Sequence, residues 1–406
     1  MTDSMYIWPS SDMDFWKIEN KSTVVVVKWS GDNFSDYKKL AYQFYGCGYK
    51  ILEEVINDRL NSIKSDMWFL TGIFLIRHSL ELGLKSLLCR VLSRKKDIQD
   101  TFKKCGHDVA LLLKKYDEVG HENFLNNEEK SWLLKYCSSL EDVDRKSDIF
   151  RFPFDDEFLL KYRNKFLDNM QVANNLLQAF FLVKRCLELG VITEEEKFDN
   201  TLKPEFFIFT SPSSGNCYLW QSLSDMDFYA KIRGYTEAID FIYQAKDITN
   251  EDKLYPLMFM FRNTIELYLK VLFYSRVEKG VSQRAFRSKR KSHRIKKDLW
   301  KNVKKMIVNY SDGSDEELKT TELVEKMLCE IDSLDKKGDK FRYPTSYSLE
   351  YYFNNRTLDL SNIYVYLKAI VKFLEGCDSE LDAIADVEQE IKNEYESDIY
   401  SNIDWY

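Results

Sequence analysis

The sequence predicts a mainly α-helical protein made of two tandem helical-bundle repeats, each led by a short strand-containing segment, and three observations carry that prediction. Glycine (14) and proline (6) are scarce for 406 residues, while leucine, lysine, glutamate and the aromatics abound, which suits long helices and not a turn-rich sandwich or barrel. The apolar run from Phe74 to Leu88 returns as the run from Phe259 to Phe273. The likeness extends downstream with nearly constant offsets: Arg77/Arg262, Glu81/Glu266 and Lys85/Lys270 differ by 185, His107/His293 by 186, and Asp144/Asp335, Phe150/Phe341, Arg151/Arg342 and Pro153/Pro344 by 191. A repeat of this length implies one domain over residues 1–200, with an N-terminal strand segment, and a second over 201–406, with an acidic C-terminal tail.

Taken in order, Val24-Val25-Val26-Val27 is short and β-branched and reads as a strand closed by the turn Ser30-Gly31-Asp32-Asn33. Tyr37 to Ile63 is periodic and helical. Met67 to Leu92 forms the central helix of the first copy, ended by a loop at Ser93 to Asp97. Asp108 is placed to cap a helix whose stripe is Val109, Leu112, Leu113 and Tyr116. Helices follow over Glu128 to Leu140 and Leu167 to Leu189, separated by an extended stretch that Pro153 enforces on Phe152. Gly190 to Pro204, with Glu194, Glu195 and Glu196, is the expected linker. Phe206 to Thr210 reads as a second strand, and Leu254 to Ser275 as the second central helix. Ser11-Asp12-Met13-Asp14-Phe15 recurs as Ser224 to Phe228, which suggests that both copies open alike.

The net charge of −7 is mild for this length and excludes no partner class. Eight cysteines lie scattered without a C-x-x-C pair, favouring a reducing compartment and neither a disulfide framework nor a zinc site. The N-terminus lacks a secretory signal, and Met67 to Ile76 spans only about half a bilayer, so a cytoplasmic protein without a membrane anchor is expected.

Three constellations carry candidate chemistry. Arg77, Glu81 and Lys85, like Arg262, Glu266 and Lys270, stand four residues apart on one stripe of an otherwise apolar helix. Solvated, such pairs contribute little; buried, each ion costs several kcal/mol unless paired. The ladder is therefore a packing network, a wall of an anion-binding cleft, or a solvated face. His107 and His293 are two of only four histidines and fall at equivalent positions. A histidine at a helix start caps locally or serves as acid/base or phosphate contact. Residues 284–305 hold eleven Lys/Arg against Asp298 alone, including Arg287, Lys289, Arg290, Lys291, Arg294 and Lys297, a patch suited to phosphate backbones. The tail from Asp378 to Tyr406, with ten carboxylates and one lysine, could instead mask it. Metal-ligand spacing, a phosphate-cradling glycine loop and G-x-S-x-G are all missing from the sequence.

Arg-x3-Glu-Leu-x-Leu-Lys, then Gly106-His107-Asp108, then Asp144-x6-Arg151-Phe152-Pro153 make the first copy resemble a HEPN domain, a small helical-bundle superfamily of prokaryotic defence and toxin proteins. The second copy is similar in Arg262 to Lys270 and in Asp335-x6-Arg342-Tyr343-Pro344, but has Ser292-His293-Arg294 where the first has Gly-His-Asp. The resemblance spans two blocks of roughly 120 residues each and implies bundles of four or five helices packed face to face as an intramolecular pseudo-dimer. It also implies metal-independent RNA cleavage without a cofactor, in antiviral defence. The family pairs an arginine with a histidine four to six residues on; the one literal match here is Arg287-x5-His293, in the basic segment and not at the start of a last helix. The repeated Arg and His do not have that spacing; as an enzyme the chain is expected to use His107 and His293 with Arg151 and Arg342 as catalytic residues around the cleft between the repeats. The alternatives are a non-catalytic RNA- or DNA-binding protein, and a scaffold docking on a partner effector.

Overall fold

Helices dominate the computed structural model, which describes residues 7–120, 124–154, 156–162, 164–191, 197–219, 226–276, 293–311 and 313–403. The chain divides into two compact units, each gathered from distant segments. The larger comprises Trp16–Leu267 and Lys337–Tyr364; the smaller comprises Met1–Phe15, Tyr268–Lys336 and Val365–Tyr406.

In the larger unit the valine run is a strand, β1 (Val24–Val27), paired antiparallel with Arg356–Asp359 so that Val24 faces Asp359. Asp32 caps α1 (Asn33–Asn57) by accepting from the amides of Phe34 and Ser35. A π-helical turn, Lys64–Trp68, leads into α2 (Phe69–Val91), buried without interruption from Phe69 to Leu88. The two helices approach closely because Gly48 and Gly72 have no side chain: a Cβ at Gly48 would meet Ile76 Cγ1 at 2.7 Å, and one at Gly72 would meet Leu52 Cδ2 at 2.7 Å. Such contact leaves no room for water between Phe69 and Leu88, so every charge on that stretch is a core charge.

The expected loop at 93–97 is shorter than its composition suggests. A helix, α3 (Lys95–Cys105), begins inside it, with Ile98 and Phe102 supplying a buried face and Asp97 in its first turn. Then come α4 (Val109–Val119), capped by Asp108 as expected, and α5 (Asn127–Asp144), which opens on a capping box of Asn126 and Glu129. A short helix at Asp156–Tyr162, unmarked in the sequence, precedes the strand Lys165–Leu167 and α6, here Asn169–Leu187. That strand is the centre of a three-stranded sheet, between Phe209–Thr210 and Cys217–Leu219. The described part of the linker is tied down: Trp132 Nε1 donates to the Leu202 carbonyl at 2.6 Å and Asn175 Nδ2 to that of Lys203 at 2.8 Å. Glu194, Glu195 and Glu196 lie outside the described residues.

Two helices of the second copy complete this unit: α7 (Met226–Gln244) and the first part of α8 (Asn250–Arg276). Met226 to Phe228 are helical, whereas Met13 and Asp14 have no regular structure and Phe15 stands in a turn, so the shared Met-Asp-Phe adopts two local structures. Ser224 and Asp225 themselves lie outside the described residues.

The smaller unit holds a π-helical turn at Ile295–Trp300, α9 (Lys301–Tyr310), α10 (Asp315–Leu334, capped by Ser314) and most of α11 (Leu360–Ile403). The N-terminal aromatics pack on α11, with Trp8 5.8 Å from Phe373 and Phe15 edge-on to Tyr366 at 5.6 Å. The acidic tail continues α11 as helix to Ile403. Six of the eight thiols are buried, and Cys89 and Cys329 are half-buried. No helix among the described residues is long and apolar enough to cross a membrane.

Candidate functional site

The first ladder is wholly interior. The side chains of Arg77 and Glu81 are 0% exposed and that of Lys85 is 2% exposed. Glu81 is the hub: Oε2 accepts from Arg77 Nη1 at 2.6 Å, and Oε1 from Lys85 Nζ at 2.7 Å, His107 Nδ1 at 3.0 Å and the Tyr343 hydroxyl at 2.6 Å. Burial raises a carboxyl's pKa, but here Lys85, His107 and Arg77 outweigh it and hold Glu81 well below its usual range. Burial pulls the Lys85 ammonium down against the attraction of Glu81; the ammonium also sits 4.5 Å over the Tyr343 ring. Arg77 binds three elements together. Its Nη2 donates to the carbonyls of His107 (2.7 Å) and Asp144 (3.0 Å), and its Nε lies 3.1 Å from Asp144 Oδ2. Asp144 in turn accepts from the amides of Asp148 and Ile149 at 3.0 and 3.2 Å. Two cations therefore face two carboxylates, and the charge within the first ladder is balanced.

Residues at matching sequence offsets make matching contacts. Phe74 stacks on Phe259, its equivalent at offset 185, with centroids 4.9 Å apart. His78 Nε2–H donates to the Arg342 carbonyl at 3.0 Å, and Asn263, the equivalent of His78, donates to the Arg151 carbonyl at 3.1 Å. The guanidinium carbon of Arg342 sits 5.8 Å from the Phe74 ring and 5.3 Å from the Tyr343 ring; that of Arg151 sits 5.7 Å from Phe259 and 4.8 Å from Phe152. Each arginine reaches a left-handed residue of the opposite copy. Arg342 Nη2 donates to Ser147 Oγ at 3.2 Å (Ser147 φ 59°), and Arg151 Nη2 lies 3.9 Å from where a Cβ on Gly338 would stand (φ +78°).

His107 is the one member of the first network that reaches solvent, its side chain 28% exposed. Glu81 and the Tyr343 hydroxyl, 2.9 Å away, hold Nδ1. That fixes the tautomer and leaves Nε2 without a protein partner among the described residues. Burial lowers the His107 pKa, Glu81 opposes this, and Arg342 and Lys85 lower it further. The lowered pKa favours the neutral imidazole, which, held by a carboxylate at Nδ1 and open at Nε2, has the form of a general base.

No protein-family model matches this chain, and no curated protein or solved structure is significantly similar to it. The site's chemistry therefore stands on its geometry.

The structure brings His107 together with Glu81, Arg77, Lys85 and the Tyr343–Arg342 segment. Arg151 and Arg342 are interior, 6% and 2% exposed. In the second copy Arg262 Nη1 pairs with Glu266 at 2.8 Å, again buried. Lys270 and His293 belong to the smaller unit, Lys270 buried and His293 half-buried directly before Arg294, which stands at the N-cap of the π-helical turn. Arg294 and Lys297 are exposed; Arg287, Lys289, Arg290 and Lys291 lie outside the described residues. Sequence reasoning passed over His78, Asn263, Tyr343 and Ser147 as site residues. The offsets that aligned the ladders would have paired His78 with Asn263 and Tyr343 with Phe152, and so pointed to them.

Proposed function

We propose that this chain is a HEPN-like protein of prokaryotic antiviral defence that acts on RNA, its two helical repeats packed as an intramolecular pseudo-dimer and His107 serving as acid/base in metal-independent cleavage. The observation that carries the reading is the open Nε2 of a histidine whose Nδ1 is held by a buried carboxylate. The matched contacts around Phe74 and Phe259 support the pseudo-dimer. In the reaction, Nε2 takes the proton of a ribose 2′-hydroxyl as its oxygen bonds to phosphorus. The P–O5′ bond breaks, and the imidazolium returns the proton to the departing 5′-oxygen.

Incubation with total RNA and tRNA in EDTA tests this. Cleavage is expected, with His107→Ala reducing it about 10²–10⁴-fold. The rate should rise with pH through a pKa below the usual 6.5 of histidine and be flat by neutrality, because His107 must be neutral to act and its pKa is lowered. Absence of cleavage, or cleavage untouched by His107→Ala, overturns the reading.

The exposure of Arg294 and Lys297 favours a second reading, RNA binding without cleavage. It requires intact RNA in the same assay and binding that weakens steeply with salt.

A further inference from the structure

A cavity of about 390 Å³ lies in the smaller unit, where the end of α9, the start of α10 and the middle of α11 converge with Trp8 of the N-terminal segment. That volume is of the size that takes a small molecule. Gly376 helps to shape it: a Cβ there would press on Trp8 Cη2 at 3.2 Å, so the missing side chain lets the indole lie close over α11, its ring centroid 5.8 Å from that of Phe373. Tyr310, 45% exposed, adds a third ring on the solvent side, and Ile307 and Leu381 complete the apolar lining.

The charge of this cavity is one-sided. Glu316, Glu317 and Glu380 line it, and no lysine or arginine among the described residues does. Glutamates in the first turn of a helix are ordinary, which accounts for Glu316 and Glu317 on α10; Glu380 joins them from the middle of α11. The Cys377 thiol feels the same field. Burial first, then Glu380 and Asp378, push its pKa up to about 12, so it lines the cavity as a neutral, apolar group. Thr321 is an independent sign of a ligand. It lines the cavity at 4% exposure, and its hydroxyl has no hydrogen-bond partner among the described residues. Its neighbour Thr320 donates to the carbonyl four residues back, that of Glu316, at 2.9 Å; Thr321 does not make the corresponding bond. A buried hydroxyl is seldom left unmatched.

Aromatic walls attract a cation by their faces and a flat apolar body by stacking. The carboxylates repel anions, phosphates included, and a hydroxyl oxygen accepts from an N–H, which a quaternary ammonium lacks. We propose that this cavity binds a small primary amine carrying an aromatic ring, its ring against Trp8 and Tyr310 and its ammonium toward Thr321 and the three glutamates. The site shares no residue with the network of His107 and stands whether or not RNA is cleaved, because its readout is binding of the amine itself.

The test is calorimetric titration of the full chain at neutral pH with tryptamine, and with indole-3-propionate, which keeps the same body and carries a carboxylate in place of the ammonium. Tryptamine is expected to bind at one site with a Kd on the order of 0.1 mM, and indole-3-propionate is expected not to bind. Thr321→Val keeps the shape of the side chain without its hydroxyl and should weaken tryptamine by about tenfold, as for one hydrogen bond to a charged group. Glu380→Gln, at an exposed position, should weaken it by about threefold and keeps the test informative if Thr321→Val does not fold. No saturable binding of tryptamine, equal binding of indole-3-propionate, or an affinity unchanged in both variants overturns the proposal.

Discussion

The carboxylates Glu81 and Glu266 occupy equivalent positions on equivalent helices, each four residues after an arginine that donates to it, yet their surroundings differ. Glu81 receives the hydroxyl of Tyr343 across the meeting of the copies; the residue at the position equivalent to Tyr343 is Phe152, which has no hydroxyl to give. The Tyr343 hydroxyl also touches His107 Nδ1. One oxygen atom thus links the ladder of the first copy to its histidine and to the second copy. The Tyr343 hydroxyl is what Phe152 lacks, and it makes the first ladder a place where an imidazole is oriented.

The largest effect that sharpens this comparison is removal of the hubs. Glu81→Ala leaves Lys85 buried without its carboxylate and Arg77 with Asp144 alone, and should destabilise by about 3–5 kcal/mol in urea unfolding. Glu266→Ala removes the buried carboxylate that pairs with Arg262 and should destabilise by a similar amount. Little loss at Glu266 would show that the two hubs do not carry the same load. Next is the hydroxyl itself. Tyr343→Phe makes the first corner resemble the second and should cost about 1–3 kcal/mol, since Glu81 Oε1 keeps Lys85 and His107 as donors. If His107 is the acid/base group, Tyr343→Phe should also shift the pH at which cleavage rises.

Most of this was readable beforehand where periodicity and repetition act locally. The central helices, the Asp108 cap and the valine strand follow from spacing and side-chain chemistry. The ladder's burial was one of three readings the sequence left open; the fold buries it, because a helix enclosed on all sides has nowhere else to put its charges. What could not be read was the partner of each group. That Tyr343 bonds Glu81, 262 residues away, depends on tertiary approach that no local pattern encodes. The short helix at Asp156–Tyr162 was hidden because the extended Phe152-Pro153 reading continued past its true end. The strand at Phe206–Thr210 shrinks to Phe209–Thr210 because Phe206 and Phe207 turn into an aromatic cluster with Phe150 instead of joining the sheet.

The smallest effect at neutral pH concerns His78 and Asn263, which make the same hydrogen bond with different chemistry. His78 is fully buried, and burial followed by Arg342 drives its pKa well below the ordinary value, against the pull of Glu81. In the unfolded chain it would take a proton near pH 6.5; in the fold it does not. The unfolded state therefore binds more protons below that pH. The stability His78 permits is complete above about 6.5 and falls with acidification by about 1.4 kcal/mol per pH unit until the folded-state pKa is reached. Asparagine has no such titration and can donate its Nδ2–H to the Arg342 carbonyl, as Asn263 does to that of Arg151. His78→Asn should change stability at pH 7.5 by less than about 1 kcal/mol while flattening the loss between pH 6.5 and 5. Urea midpoints across that range decide it. An unchanged acid slope would show that His107 and the carboxylates, not His78, make the meeting of the two copies sensitive to acid.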